Sequence, residues 1–261
     1  MSITRACALM AIHRSYFYYQ SKKDDTAIEE AIREAAEFGD GFWKIFKRLR
    51  KSGKGWNHKC VYRVYKSMRY NKRNKLRKRL PTRTKNPLVQ PDAPNTTWSM
   101  DFVSDTLESG RKFRVFNVVD DFSRMAIEQE LSMSMPAERV IRILEKTIWI
   151  NGKPDNIRCD NGPEFISGKF QEWCKANEIN ILYIQPGCPT QNSYIERFNG
   201  SYRRGVLDAY LFKTLEDVRI ISEKWRKDYN ENRPHDSLGD MSPKEYQNEY
   251  EINNVYLQSI L

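Results

Sequence analysis

The sequence predicts an α/β fold: a mixed five-stranded sheet flanked by helices, preceded by a small all-α unit. Three observations predict it. Period-two apolar patterns crowd between residues 98 and 131, helical and extended patterns alternate from 137 onwards, and the stretch before residue 80 holds helical periodicity alone. With 261 residues, 39% hydrophobic and 12% aromatic, the chain can bury a core domain plus a small appendage.

Residues 1–20 read as a partial helical segment: the end of a helix through Arg5 to Met10, a turn, and a short second helix from His13 to Tyr18. A clear helix follows over 26–38, with Ala27, Ile28, Ala31, Ala35 and Phe38 at helical spacing. Phe42 to Arg50 forms another, broken at Ser52-Gly53-Lys54-Gly55 because two glycines so close rarely continue a helix. Asn57-His58-Lys59 leads into a third, with Val61, Val64, Tyr65 and Met68 along one face. Three short helices with a glycine-bearing turn before a basic third one suggest a helix-turn-helix domain over 21–80, a plain helical bundle being the alternative. Residues 81–97 read as a linker that extends the basic run Lys72 to Arg79 and is punctuated by Pro81, Pro87, Pro91 and Pro94.

From Trp98 the pattern turns extended. Trp98, Met100 and Phe102 alternate with Ser99, Asp101 and Val103; Phe113 to Val119 is a strongly apolar second strand, and Met125 to Leu131 a third. Asp120-Asp121-Phe122-Ser123-Arg124 reads as the connecting hairpin and Asp105 as a loop residue. A helix (137–151), a strand (156–159), a helix (169–177), a strand (179–184) and a further helix complete the order of a ribonuclease-H-like sheet over 98–210. Residues 211–261 are expected as a C-terminal helical extension. There Thr214 opens a helix with Leu215, Val218, Ile221, Trp225 and Tyr229 on one face, and Ser242-Pro243-Lys244-Glu245 carries a capping box.

The charge is as unevenly distributed as the secondary structure. Net charge is +10, yet between Gly41 and Pro91 there is no Asp or Glu, against 18 Lys and Arg, while the chain beyond is mildly acidic. A charge run is more often a solvated face than a binding site. Here Trp43, Phe46, Trp56, Tyr62, Tyr65 and Tyr70 interleave the cations, which favours a folded domain that grips nucleic acid over a membrane surface. Lys44, Lys47, Arg48, Lys54, Lys59 and Arg63 are the candidate DNA contacts of this stretch. The five cysteines (Cys7, Cys60, Cys159, Cys174, Cys188) are widely spaced without a CxxC pair, and His13, His58 and His235 are the only histidines. A zinc site or disulfide framework is therefore not expected, His235 reads as a packing residue, and a reducing, cytoplasmic compartment is expected. No apolar run approaches the length of a membrane span.

Three carboxylates carry the chemistry. Asp101 sits mid-strand on the face opposite Trp98, Met100 and Phe102; Asp160 ends the fourth strand before the turn Asn161-Gly162-Pro163; Glu196 rides the helix after Pro186-Gly187-Cys188-Pro189. Strands one and four, if adjacent, bring the two aspartates to one edge. On the last helix Asn192, Glu196, Asn199 and Arg203 form a polar stripe, and Ile195, Phe198, Tyr202 and Val206 an apolar one. Each carboxylate alone has a bland reading, as turn residue or solvent face. Their order on these elements predicts a site in which all three hold two divalent ions about 3.5–4 Å apart for in-line attack on a phosphodiester. Asn192, Asn199 and Arg203 would touch the DNA strand entering it.

These segments resemble the second-frame proteins of IS3-type insertion-sequence transposases, which carry a DDE integrase core. The resemblance runs nearly end to end: Trp98 to Asp105, Val118 to Arg124, Asp160 to Phe165, Asn192 to Gly200, Tyr229 to Gly239, and the pre-catalytic helix-turn-helix from Gly41-Phe42-Trp43-Lys44 through Asn57 to Tyr62. It implies a DNA transposase that cleaves insertion-sequence ends and transfers the 3′-hydroxyl, with Asp101, Asp160 and Glu196 as catalytic metal ligands, Mg²⁺ as cofactor and Mn²⁺ as substitute. The partners it implies are double-stranded DNA (terminal inverted repeats and target), an upstream-frame protein or frameshift fusion, and further copies of the chain on DNA; bound to DNA, the chain would be nucleoid-associated. No sustained heptads occur, which agrees with assembly elements lying elsewhere. The alternative reading is a non-catalytic DNA-binding regulator of the fusion, and a third is a ribonuclease-H-type nuclease.

Overall fold

The computed structural model describes residues 2–19, 24–71, 88, 90–185 and 189–258. The basic run from Lys72 to Arg79, Pro81, Pro87 and the loop residues Pro186, Gly187 and Cys188 lie outside the described residues.

Helices α1 (Ile3–Leu9) and α2 (Arg14–Phe17) form the expected pair at the front. Helices α3 (Thr26–Ala35), α4 (Phe42–Lys51) and α5 (His58–Ser67) then enclose Ile28, Ile32, Ile45, Leu49, Val61, Val64 and Tyr65. The turn after α4 is made possible by Gly53 at φ +79°, a left-handed conformation that costs a residue without Cβ little. Asn57 caps α5 by accepting from the Lys59 amide at 2.9 Å.

The sheet is built from β1 (Thr97–Thr106), β2 (Lys112–Asp120), β3 (Ala126–Ser132), β4 (Asn156–Cys159) and β5 (Asn180–Tyr183), in the order β3-β2-β1-β4-β5. The first three strands pair antiparallel, and β4 and β5 add on in parallel. This is the ribonuclease-H-like arrangement expected, with strands one and four adjacent. Alternation along β1 decides which face holds what. Trp98 and Met100 point into a cluster with Leu144 of α6 (Ala137–Asn151) and Phe170 of α7 (Gly168–Ala176). Val103 points the other way, into a cluster with Ile195, Phe198 and Tyr202 of α8 (Ser193–Tyr202) and Trp225 of α9 (Leu215–Glu231). Each large side chain so buried contributes about 1.5–3 kcal/mol. Asp101 is in phase with Val103, so it lies beneath α8.

Helix α9 starts with the capping box of Thr214 and Asp217, and its Asn230 side chain bonds both backbone groups of Ala126, closing the open edge of β3. A short π turn, Arg203–Leu207, extends α8, and there Gly205 lies so close to Trp225 that a Cβ would meet the indole nitrogen at 2.6 Å. Helix α10 (Pro243–Gln258) begins at the Ser242–Glu245 box. No helix among the described residues is long and apolar enough to cross a membrane.

The hairpin at Asp120-Asp121 forms as expected but is more buried than a plain turn, and the reading of Asp105 needs correction. Asp120 ends β2 and Asp121 follows it, but neither is a plain solvated turn residue. Asp120 accepts from the Ser123 amide and hydroxyl and the Asn95 amide, and fully buried Asp121 pairs with Arg158 of β4. Asp105 belongs to β1, not to a loop. The sheet imposes both outcomes, because β1 and β2 run further than the apolar pattern alone reaches.

Candidate active site

Asp101 sits opposite Asn117 of β2 in the sheet, under α8. Its Oδ2 accepts from Asn199 Nδ2 at 2.8 Å, and its Oδ1 from the Phe102 amide at 2.8 Å. Asp160 follows β4, where its Oδ1 accepts from the Gly162 amide at 3.0 Å. A Cβ on Gly162 would meet that oxygen at 3.0 Å, so a larger residue there would oblige the Asp160 carboxylate to shift by a few tenths of an ångström. Glu196 leans from the first turn of α8 and is exposed.

The electrostatics relate the three groups. Burial pushes the Asp101 carboxyl up to about 6, and the negative charges of Asp160 and then Glu196 push the same way. Partial burial alone raises Glu196. Among the described residues no Lys or Arg pairs with any of the three; the nearby cations are committed elsewhere. Arg203 bonds the Ser104 carbonyl at 2.9 Å and lies 3.5 Å from Asp105; Arg114 holds Glu164 and lies over the Phe102 ring at 4.0 Å. Glu164 is thereby removed from the carboxylate set, although it stands in the same sequence segment as Asp160.

Among the described residues no three His, Cys, Asp or Glu side chains are drawn together closely enough to hold a metal ion. Asp101, Asp160 and Glu196 share one field without forming a closed ligand set. Their chemistry fits a hard divalent cation: the donors are carboxylate oxygens only, and Asp101 is raised by burial and further by the like charges of Asp160 and Glu196.

The DNA-contact candidates divide. Asn192 is buried, with its Oδ1 unpartnered among the described residues, and Asn199 is engaged with Asp101 and Asn117. Lys54 and Lys59 are exposed, Lys54 over the Trp56 ring; Arg63 is exposed but pairs with Asp25. The candidates on α4 are engaged within the protein. Lys47 pairs with Asp236 and Asp240, and Arg48 is part-buried between Asp40 and Asp228. Burial, with Arg233 nearby, lowers Lys44 to about 8. Acids far along the chain have claimed this face of the helix.

Sequence reasoning passed over Asn117 and Gln129. Both are buried on the Asp101 face of the sheet, and Gln129 Nε2 donates to Asn117 Oδ1 at 3.0 Å. The available signal was an amide inside the otherwise apolar run Val115-Phe116-Asn117-Val118-Val119.

Known proteins match this arrangement. The integrase core domain family matches residues 91–189, and a second integrase core domain family matches 177–243. The chain is 35% identical over 252 residues to the insertion element IS407 uncharacterized 31.7 kDa protein of Burkholderia multivorans, covering 94% of this chain and 90% of that one. It is 25% identical over 158 residues to the transposase InsF for insertion sequence IS3A of Escherichia coli, covering 59% and 54%. A chain from the simian T-cell lymphotropic virus intasome in complex with the PP2A regulatory subunit B56 gamma shares the fold, with TM-score 0.53, 18% identity and coverage of 83% and 74%. From the site at the sheet centre to the C-terminal block, the chain belongs to the IS3-type insertion-sequence transposases, as a second-frame protein with an integrase core.

Proposed function

We propose that this transposase cleaves DNA at the ends of its insertion sequence and joins the freed 3′-hydroxyl to target DNA, with Asp101, Asp160 and Glu196 as the catalytic carboxylates. The observation that carries the reading is Asp101 set under α8, its carboxyl raised first by burial and then by the charges of Asp160 and Glu196, with no Lys or Arg paired to any of the three among the described residues. Groups gathered against their own repulsion cost stability and are found where function needs them.

The three carboxylates would hold Mg²⁺, or Mn²⁺ in its place. The metal would supply Lewis-acid activation of the attacking oxygen and relief of charge on the leaving one. The chain's own part is positional. Asn199 fixes the Asp101 carboxylate by its hydrogen bond, the Gly162 turn fixes Asp160, and the buried stripe of α8 presents Glu196. Exposed Lys54 and Lys59 offer phosphate contacts on the helical unit preceding the sheet. Double-stranded DNA, an upstream-frame protein and further copies of the chain are the partners of this reading.

The test is Asp160→Asn in a strand-transfer assay on element-end DNA. Transfer is expected to fall about 10³-fold or more, in keeping with the several kcal/mol that a bound cation supplies, while end binding is retained. Undiminished transfer would overturn the assignment and favour a non-catalytic DNA-binding regulator.

A further inference from the structure

Three polar residues line up across the sheet beneath α8. Asp101 is the register partner of Asn117, and Asn117 that of Gln129. Their neighbours on this face, Val103, Val115, Val119 and Leu131, are apolar and buried. Asn117 is 0% and Gln129 9% exposed, so two amides have been placed where aliphatic side chains would pack without desolvation cost.

The hydrogen bonds run in one direction. Gln129 Nε2 donates to Asn117 Oδ1 at 3.0 Å, Asn117 Nδ2 to Asn199 Oδ1 at 2.8 Å, and Asn199 Nδ2 to Asp101 Oδ2 at 2.8 Å. An ionised carboxylate only accepts, so Asp101 dictates which end of Asn199 faces it, and each amide then dictates the next. Every N–H end points towards Asp101. The far end of the chain, Gln129 Oε1, is buried without a partner among the described residues, a cost that a purely structural network would avoid.

Building on the catalytic reading above, we infer that Asn117 and Gln129 are positioning residues that lock the Asn199 amide and set Asp101 ready for a divalent cation. Fastening α8 for stability does not require them, because Ile195, Phe198, Tyr202 and Val206 already bury its apolar stripe. What they add is a polar tie at one point of that helix. Glu196 stands three residues before Asn199, so fixing Asn199 against the sheet also fixes where Glu196 stands relative to Asp101. The aligned amide dipoles further offset the repulsion that Asp101 receives from Asp160 and Glu196.

The experiment uses the full chain with Asn117→Leu and Gln129→Met, near-isosteric changes that delete the amides. Mn²⁺ binding without DNA is followed by electron paramagnetic resonance, beside thermal unfolding and the kinetics of strand transfer. Removing a partner behind a metal ligand weakens metal binding by about 10–100-fold, and that loss is expected for Asn117→Leu with KM for element-end DNA changed by no more than about twofold. Saturating Mn²⁺ is expected to restore much of kcat, which a general loss of structure would not allow. Folded variants that bind Mn²⁺ like the parent overturn the inference. Should Asn117→Leu fail to fold, Gln129→Met and the Asn199 side-chain amide signals of the metal-free parent decide. Slowly exchanging, hydrogen-bonded protons are expected, and freely exchanging ones overturn it. Asp101→Asn run alongside separates the two failures. If it abolishes Mn²⁺ binding while the amide variants bind normally, only the positioning role falls; if it too binds normally, the catalytic reading falls.

Discussion

The seam between α4 and the C-terminal segment, and the centre of the sheet beneath α8, both gather charge, and they do so by opposite rules. At the seam acid and base are matched: Lys47 with Asp236 and Asp240, Arg48 with Asp40 and Asp228, Lys51 with Glu245, and Arg233 with Asp40. Beneath α8 three carboxylates lie in one field, and among the described residues no cation pairs with them, while Arg114 and Arg203 are spent on Glu164 and Asp105. Matched charge here is architecture, whereas the unmatched charge is where the proposed reading places a divalent cation.

The largest expected effect comes from breaking a match. Arg48→Met leaves Asp40 and Asp228 facing each other with one fewer cation in a mostly buried seam. Denaturant unfolding should show a loss of about 3–5 kcal/mol, the usual cost of stranding a buried partner. A loss below about 1 kcal/mol would mean that the seam behaves like an exposed ion pair.

A second test concerns the imidazole at the same seam. Burial, together with Lys44, Arg233 and Arg124, lowers His235 to about 3. The folded state therefore keeps the ring neutral, while the unfolded chain takes up a proton near its ordinary value. Stability is full above about pH 6.5 and is lost as pH falls towards about 3, amounting to about 2 kcal/mol at pH 5. Urea titrations at pH 7.5 and 5 should show this loss in the parent and a smaller one in His235→Leu.

The smallest effect has the opposite sign. Asp101→Asn removes a carboxylate that the fold buries at a cost, with the charges of Asp160 and Glu196 adding to it, so the metal-free variant should unfold at a higher temperature, by about 1–2 kcal/mol or a few degrees. Calorimetry showing a clear decrease would mean that the Asn199 bond outweighs that cost.

The same contrast explains what the sequence revealed. Asp101, Asp160 and Glu196 were legible because strand alternation, a turn and a helical stripe each announce themselves within a few residues. Strand order followed from the pattern of elements, and the Thr214 and Ser242 caps from local chemistry. The seam was not legible. Arg48 and Asp228 are 180 residues apart, and the acid-free run around Arg48 reads as a DNA-facing surface until the C-terminal acids fold back on it. Asn117 was missed because one amide in an apolar strand carries no local explanation; its meaning comes from the residues opposite and above it. Asp105 was misread because short polar residues favour turns on average, while here a long strand sets its place; Asp121 does lie in the turn, but its pairing with Arg158 buries it, which no local pattern announces.

Gly205 gives one further consequence. At the π turn after α8 the backbone meets Trp225 at a distance that leaves no space for a single carbon, with the Phe38 carbonyl 3.4 Å from the same point. Three segments far apart in the chain thus converge on one spot without tolerance. Such a spot works like the keystone of an arch: it is small, makes few bonds of its own, and sets how the surrounding pieces lean. A single added carbon there would oblige the Trp225 indole, the Phe38 carbonyl or the turn itself to move, and that turn is continuous with the helix that carries Glu196.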